Sequence, residues 1–228
     1  MIYVTGDTHG DLRRFRSRGA NKLKSGDILL ICGDFGFLWD DSAAEKRTLR
    51  WIGKRKYLTL FLDGKHENYD LLKQYPETEL FGGTAQQISG NLYHLKRGEI
   101  YEIEGKKIFT FGGGESTEKQ FRMDEQCWWE DELPTHEEMV HAVDRLEAED
   151  YKVDYIITHE APPTARGLQH GLRDSTNFLD SFFDEITHNV TFQRWFFGSV
   201  HQNKMISQKL YALFDEIIPT EAATKKGK

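Results

Sequence analysis

The chain has 228 residues, of which 38% are hydrophobic and 29% are charged, a composition typical of globular proteins and not of disordered or fibrous ones. Its formal net charge of −7 argues against broad electrostatic binding to nucleic acid or to an anionic membrane, because both need a basic surface. No apolar run approaches the roughly 18 residues of a membrane span, and no signal peptide is readable. The two cysteines, Cys32 and Cys127, cannot build a disulfide framework, so we expect reduced thiols and a cytoplasmic location.

The N-terminal third of the chain alternates strand and helix patterns. Residues 2–6 and 27–32 are apolar runs, the second of a kind that is buried on both faces of a sheet. A helix is predicted at about 43–56 and a third strand at 57–62. Alternation with loops this short predicts parallel strand pairing and right-handed crossovers.

Between the first two strands, Leu12, Phe15 and Leu23 predict a loosely amphipathic helix. Its polar side carries a basic run, made of Arg13, Arg14, Arg16, Arg18, Lys22 and Lys24. Such a run is usually a solvated face, and the alternative is that it steers a phosphate-bearing substrate.

From residue 91 the pattern changes to antiparallel hairpins. Strands are predicted at 91–96, 99–104 and 107–111, with glycine turns between them. A loop at 112–134, rich in glycine and charge, follows the last of these strands.

The next segment contains one helix and one strand. Thr135 caps a helix that runs to about residue 150, and Glu138 completes a capping box. A buried strand at 153–158 follows, and Pro162 and Pro163 then forbid an immediate helix.

The C-terminal part is predicted to be mixed loop and short helix at 164–190, a strand at 195–198 and a closing hairpin at about 205–217. No repeat, linker or domain boundary interrupts the chain. We therefore expect one domain at 1–218 and a disordered tail at 219–228.

Polar side chains stand where the predicted strands end: Asp7, His9, Asp34, His66, His159 and His201. Open α/β sheets bind ligands at the carboxyl ends of their strands, so we expect these groups to converge on one edge of a sheet. They are oxygen and nitrogen ligands without thiolate, which suits manganese, iron or zinc. A single histidine near a strand end is more often structural, but so many ionisable groups would be costly to bury without an ion.

The order of the motifs carries a family resemblance. Asp-x-His at Asp7, Gly-Asp at Asp34, Gly-x-His-Glu at His66, the strand-end His159 and a late Gly-x-x-His at His201 together resemble the calcineurin-like metallophosphoesterase family, from residue 2 to about 218. The resemblance implies an α/β fold with a two-sheet β-sandwich flanked by helices, in α/β/β/α layers. It also implies a hydrolase of phosphoester bonds that holds divalent metal: manganese, or else iron, zinc or magnesium, at one or two ions per chain.

Individual roles follow from the same resemblance. It implies that Asp7, His9, Asp34 and His201 hold one ion, with Asp34 bridging to a second. His66 is expected to contact the scissile phosphate and to assist the leaving group, and His159 is expected to be a ligand of the second ion.

Two positions depart from the family pattern. Lys65 stands where the third motif normally has asparagine, and Ser199 stands where the last motif normally has its first histidine. Both missing residues would bind the second ion, so that site keeps only Asp34 and His159. One interpretation is that Lys65 has been recruited to balance phosphate charge, since lysine commonly binds phosphate as a point charge. The other is degeneration after loss of activity.

Two further features of the 112–134 loop have open interpretations. Trp128 and Trp129 are candidates for substrate stacking, although aromatic residues more often belong to a core. The run Gly112-Gly113-Gly114 is either an anion-binding nest or a tight turn after a strand.

The function expected from the sequence is a phosphatase or phosphodiesterase that uses one well-held metal and Lys65. The alternative is a catalytically impaired protein of the same fold that binds a phosphorylated ligand or a protein partner. The expected substrate is a phosphorylated small molecule or protein; nucleic acid and membrane are not expected, and the oligomeric state is open.

Overall fold

A computed structural model describes residues 1–166 and 178–221 of the chain. The strands in this part form two mixed sheets, one with seven strands and one with six. Helices lie on the outer faces of both sheets. The predicted two-sheet architecture with flanking helices is therefore confirmed.

The first sheet has the strand order β13-β1-β2-β3-β6-β5-β4. Its strands are β1 (Ile2–Thr5), β2 (Ile28–Ile31), β3 (Leu58–Phe61), β4 (Glu77–Leu80), β5 (Gly83–Ser89), β6 (Leu92–Leu95) and β13 (Ile218–Pro219). β1, β2, β3 and β6 run parallel, as the βαβ pattern predicts. At one edge β13 pairs antiparallel with β1, and at the other β5 pairs antiparallel with β6 and β4 with β5.

The second sheet has the order β11-β12-β10-β9-β8-β7. Its strands are β7 (Ile100–Ile103), β8 (Lys106–Phe111), β9 (Tyr155–Thr158), β10 (Arg194–Phe197), β11 (Lys204–Met205) and β12 (Leu210–Ala212). β8, β9, β10 and β12 run parallel, and β7 and β11 are antiparallel edges.

The helices are α1 (Arg18–Lys22), α2 (Ala43–Gly53), α3 (Tyr69–Leu72), α4 (Lys119–Asp124), α5 (His136–Glu147), α6 (Pro163–Arg166) and α7 (Phe178–Asn189). α2 begins at the cap Ser42, and α5 begins at the predicted capping box of Thr135 and Glu138. Both helices bury one stripe and leave the other in water, which is the usual pattern of a surface helix.

Three apolar layers hold these elements together. Residues of both sheets, such as Leu60 and Phe196, fill the space between the sheets. Leu49 of α2 packs on the outside of the first sheet, and Phe183 of α7 packs on the outside of the second together with Trp195. Because neighbouring residues of a strand face opposite layers, Trp195 and Phe196 belong to different cores.

The predicted hairpin at 91–104 is wrong. β6 belongs to the first sheet and β7 to the second, so the turn around Arg97 carries the chain from one sheet to the other. The sequence analysis also missed β4 and β5. Only the β7–β8 pair is the antiparallel hairpin that was expected.

Two local predictions are also corrected. The expected helix around Phe15 is a 3-10 turn at Arg14–Arg16 followed by the short α1. Pro162 and Pro163 were expected to forbid an immediate helix, but α6 begins at Pro163. A proline is tolerated at the first helical position because the N–H that it lacks would have no partner within the helix.

The C-terminal strand β13 pairs with β1, and the N–H of Thr220 donates to the carbonyl of Ile2 at 3.0 Å. The expected tail at 219–228 thus begins with residues that hydrogen-bond to the first sheet, and residues 222–228 lie outside the described part. Residues 167–177 of the predicted loop also lie outside it. In the described ranges, none of the helices combines the length and the apolar character needed to cross a membrane.

A buried ion pair at the sheet crossover fixes the end of β3. Arg97 Nε donates to Asp63 Oδ2 at 2.9 Å, and both side chains are nearly inaccessible. Arg97 also donates to Glu138 of α5 at 3.0 Å and to the Asp131 carbonyl at 2.7 Å, while His94 Nε2 lies 3.1 Å from Asp63 Oδ1. Burial alone would raise the pKa of Asp63, but Arg97 and His94 lower it well below its ordinary value. Asp63 directly precedes Gly64, so this network holds the turn that carries Lys65.

Replacing Arg97 with leucine is expected to lower the free energy of unfolding by about 3–5 kcal/mol, because it leaves the Asp63 carboxylate buried without its partner. Urea unfolding followed by circular dichroism measures the change. Lys46→Ala is the matched control, since the Lys46–Asp41 pair is exposed and should contribute little. Equal stability losses in the two variants would contradict this role for Arg97.

Candidate metal centre and active site

The candidate site lies where strand ends of both sheets meet. Asp7 and Asp34 follow β1 and β2 of the first sheet, and His159 and His201 follow β9 and β10 of the second. We expected these residues to converge on one edge of a single sheet. This expectation is wrong, because the two sheets face each other and each supplies part of the site.

Four of the predicted residues form one ligand cluster: Asp7, His9, Asp34 and His201. Their ligand atoms all lie within 4.8 Å of one another. His201 Nε2 is 3.0 Å from both Asp7 Oδ2 and His9 Nε2. Two ligand atoms that are each about 2.1 Å from one ion and at right angles to each other lie about 3 Å apart, so the spacing suits a single divalent ion.

Backbone strain marks the same cluster. His9, Asp34 and His201 have φ values of 46°, 41° and 52°, in the left-handed region that residues with a Cβ seldom adopt. Such conformations cost of order 1–3 kcal/mol each and are concentrated at ligand-binding sites. Three of the four candidate ligands are thus held in strained positions by their surroundings.

The polar atoms of the site are incompletely paired by protein groups. Asp7 Oδ1 and His159 Nε2 are both buried and have no hydrogen-bond partner among the described residues. Buried polar atoms without hydrogen bonds are costly, and a cation held by the ligand cluster would compensate the buried Asp7 carboxylate. The donor set therefore fits a divalent ion.

Two glycines allow this close packing. A Cβ on Gly64 would lie 2.1 Å from Asp34 Oδ1, and a Cβ on Gly198 would lie 1.9 Å from Asp7 Oδ1. Any larger residue at either position would displace a candidate ligand.

Two members of the ligand cluster, Asp34 and His9, are held in the forms that bind metal. Burial would raise the pKa of Asp34, but His159, His66 and Lys65 hold it well below its ordinary value. Burial lowers the pKa of His9, which favours the neutral imidazole that a metal requires. His159 differs: burial opposes its protonation, but Asp34 and Asp7 raise its pKa to about 9.

His66 lies beside the cluster and not in it. Its Nδ1 is 2.7 Å from Asp34 Oδ2, and its backbone N–H donates to Asp34 Oδ1 at 2.9 Å. A carboxylate only accepts, so Nδ1 is the donor and Nε2 is left for another partner. The side chain is 45% exposed, which leaves it open to a substrate.

An ion pair joins the two residues that replace expected ligands of a second ion. Lys65 Nζ donates to Glu160 Oε1 at 2.8 Å, and Ser199 Oγ donates to Glu160 Oε2 at 3.2 Å. The backbone N–H of Lys65 also donates to Asp34. Burial disfavours the Lys65 ammonium, but Glu160, Asp34 and Asp7 together raise its pKa. Both departures from the family pattern therefore contact one carboxylate.

Sequence reasoning missed three positioning residues. The first is Glu160. The second is Arg14, which donates to the Asp7 carbonyl at 2.6 Å, so this member of the basic run supports the candidate metal centre. Glu67 is fully buried and accepts the Phe35 N–H at 2.6 Å, which fixes the loop after Asp34. The glutamate of the Gly-x-His-Glu motif could have indicated this role, whereas no local pattern marks Glu160.

The two tryptophans of the 112–134 loop contact other residues. Trp129 Nε1 donates to Asp70 at 2.9 Å, and its ring meets that of Trp39 edge to face at 5.7 Å. The Lys119 ammonium lies 4.2 Å from the centre of the Trp128 ring. Within the described residues, no hydrogen bond or ring contact joins either tryptophan to the ligand cluster.

The glycine run after β8 is irregular backbone that hydrogen-bonds to two segments distant in sequence. The N–H groups of Gly113 and Gly114 donate to the carbonyls of Asp63 and Glu132 at 3.0 and 2.8 Å. These two N–H groups are therefore engaged by the protein, which argues against the anion-binding nest, and their distant partners do not form the expected tight turn either.

The comparisons with known proteins identify one family. A family model described as calcineurin-like phosphoesterase matches residues 1–163. The match includes Asp7, His9, Asp34, His66 and His159 and ends before Ser199 and His201, so it is shorter than the resemblance stated above. No curated protein matches the chain.

Asp34→Ala is expected to abolish stoichiometric manganese binding, because it removes a buried carboxylate that water replaces poorly. Metal analysis of the purified, manganese-loaded protein measures the loss. His188→Ala, on the exposed side of α7, is the control and should retain the wild-type metal content. An Asp34→Ala protein with the wild-type metal content would show that the centre is misplaced.

Proposed function

The chain belongs to the calcineurin-like phosphoesterase family, and we propose that it is a metal-dependent phosphoester hydrolase that combines one divalent ion with Lys65. Manganese is the ion we expect first. The proposed substrate is a phosphorylated small molecule or protein, and the proposed location is cytoplasmic.

The observation that carries the proposal is the cluster of Asp7, His9, Asp34 and His201, whose ligand atoms suit one ion and whose Asp7 Oδ1 is buried without a hydrogen bond. When bound, a divalent ion at this place supplies Lewis-acid stabilisation of phosphoryl charge.

The chain's own residues supply the remaining chemistry. Asp34 orients the His66 ring through Nδ1, so that Nε2 of the protonated ring can give a proton to the leaving-group oxygen, which leaves a neutral ring that still donates from Nδ1 to Asp34. Lys65 lies on the same turn as His66, and its ammonium can balance charge on the phosphate. Because the Asp34 carboxylate is buried, it is held in place and keeps the His66 ring oriented before a substrate binds.

A second candidate is a binding protein that keeps the fold and one metal. It is favoured by Lys65 and Ser199, which replace two expected ligands of the second ion. The hydrolase is preferred because the ligand cluster keeps all four of its residues and one carboxylate contacts both replacements.

The first test concerns His66. Manganese-loaded wild-type protein should hydrolyse aryl phosphate esters, and His66→Ala should lower turnover by about 10²–10⁴-fold, the usual contribution of a general acid. The metal content should remain near that of the wild type, because His66 lies outside the ligand cluster. His66→Asn is the matched variant, since it keeps a donor near Asp34 and loses Nε2. Loss of metal in both variants would make His66 a ligand instead.

The second test concerns Lys65. Lys65→Met keeps the unbranched stem and removes the ammonium, and it should lower turnover if the charge is used. Lys65→Asn combined with Ser199→His restores the family's ligands and should increase manganese binding. A Lys65→Met protein with wild-type turnover would contradict recruitment of the lysine.

A further inference from the structure

A basic surface lies on the outer side of the first sheet. It is formed by residues 13–24, which contain the 3-10 turn and α1, and by residues 46–56, which contain most of α2. These two segments hold twelve of the chain's 30 lysines and arginines and none of its 37 acidic residues. The net charge of −7 therefore conceals a strong separation of charge within the chain.

Packing joins the two segments into one surface. Phe15 and Leu49 belong to the same apolar core outside the first sheet. Arg55 donates to the carbonyl of Phe15. The guanidinium groups of Arg16 and Arg55 lie 5.4 and 4.3 Å from the centre of the Trp51 ring, so cations from both segments meet at one indole.

Most of these cations have no carboxylate partner. Among the described residues, only two of the twelve form ion pairs, Arg13 with Asp11 at 2.9 Å and Lys46 with Asp41 at 2.7 Å. Elsewhere in the described ranges, lysines and arginines commonly pair with carboxylates. The positive charge of the basic surface is therefore largely uncompensated by the protein itself.

This charge is costly to the free protein. Lys46, Arg50 and Lys54 follow one another at intervals of four residues along α2, a spacing at which like charges repel. Cations are favourable near the C-terminus of a helix, which accounts for Lys54 but not for Lys46 and Arg47 in the first half. A partner that supplies negative charge would relieve the repulsion.

We propose that the basic surface binds the phosphodiester backbone of a nucleic acid, either DNA or RNA. Seven of the twelve cations are arginines, whose planar guanidinium groups match phosphate oxygens with two parallel hydrogen bonds. The basic run at 13–24 had two interpretations from sequence, a solvated face or a guide for phosphate groups, and the addition of 46–56 favours phosphate. The inference is independent of the proposed hydrolase function.

The apolar residues of the two segments favour a nucleic acid over an anionic membrane. Helices that bind at a membrane surface insert apolar side chains into it. Here Leu23, Leu49 and Ile52 are buried, and Trp51 is half-buried beside two guanidinium groups. The surface thus offers charge without an apolar anchor, which suits a phosphate backbone.

The test measures binding of fluorescein-labelled single-stranded DNA and RNA, each of about 20 nucleotides, to the manganese-loaded protein by fluorescence anisotropy. Binding should occur at about 50 mM KCl. The affinity should fall by about 50-fold at about 200 mM KCl, as counterion release predicts when about four phosphates of a single strand are neutralised.

A charge-reversal variant locates the binding surface. Arg18→Glu, Arg47→Glu and Lys54→Glu together change three exposed positions of the basic surface. This triple variant should bind at least about tenfold more weakly than the wild type and show a smaller salt dependence, because each lost phosphate contact lowers the slope by about 1.

The matched control changes the net charge by the same amount at exposed lysines outside the basic surface, through Lys152→Glu, Lys204→Glu and Lys209→Glu. It should retain most of the wild-type affinity. Both triple variants should keep the wild-type turnover of aryl phosphate esters, which also shows that they are folded.

Two outcomes would overturn the inference directly: no binding of either oligonucleotide at the lower salt, or equal weakening by the two triple variants. Vesicles of phosphatidylcholine with about 30% phosphatidylserine test the membrane. Binding to these vesicles without binding to oligonucleotides would also overturn the inference and assign the surface to a membrane. Oligonucleotide binding by a protein without phosphoesterase turnover would contradict the hydrolase proposal only.

Discussion

The buried carboxylate of Asp34 is the group on which the rest of the site depends. Its Oδ1 accepts the backbone N–H groups of Lys65 and His66, and its Oδ2 lies 2.7 Å from the His66 ring. The same Oδ1 is 3.6 Å from His159 Nε2, which comes from the other sheet. One carboxylate thus fixes the third motif, orients the proposed acid and faces both candidate ion positions. A buried carboxylate needs this many partners, because desolvation alone would neutralise it.

The Lys65–Glu160–Ser199 unit gives the departures from the family pattern a common physical explanation. A lysine that replaces one ligand repels the ion that its neighbours would bind, and a buried ammonium needs a carboxylate. Glu160 supplies that carboxylate and uses its other oxygen for Ser199. All four residues of the first ligand cluster are present in this chain. We therefore propose a one-ion site with a built-in ion pair in preference to a two-ion site that has lost its ligands.

Much of the fold could be predicted, and the misses have identifiable causes. β1, β2, β3 and β9 are continuous apolar runs, and runs of that kind are buried on both faces. β4 was missed because its residues are mostly exposed and polar, as suits a sheet edge. The crossover at Arg97 looked like a hairpin turn, because strands on either side of a glycine turn usually pair with each other and only tertiary packing separates them. At the site, the ordered motifs predicted the four residues whose ligand atoms the structure brings together, while Glu160 contacts Lys65 and Ser199 across sequence distances that no local spacing reveals.

The most direct test of the one-ion centre is a titration of metal-free protein with manganese, followed on the same samples by electron paramagnetic resonance and by phosphoester hydrolysis. The account predicts that activity reaches its maximum at one ion per chain, with the spectrum of isolated manganese throughout. Activity that rises only with a second ion, together with the spectrum of an exchange-coupled manganese pair, would contradict it.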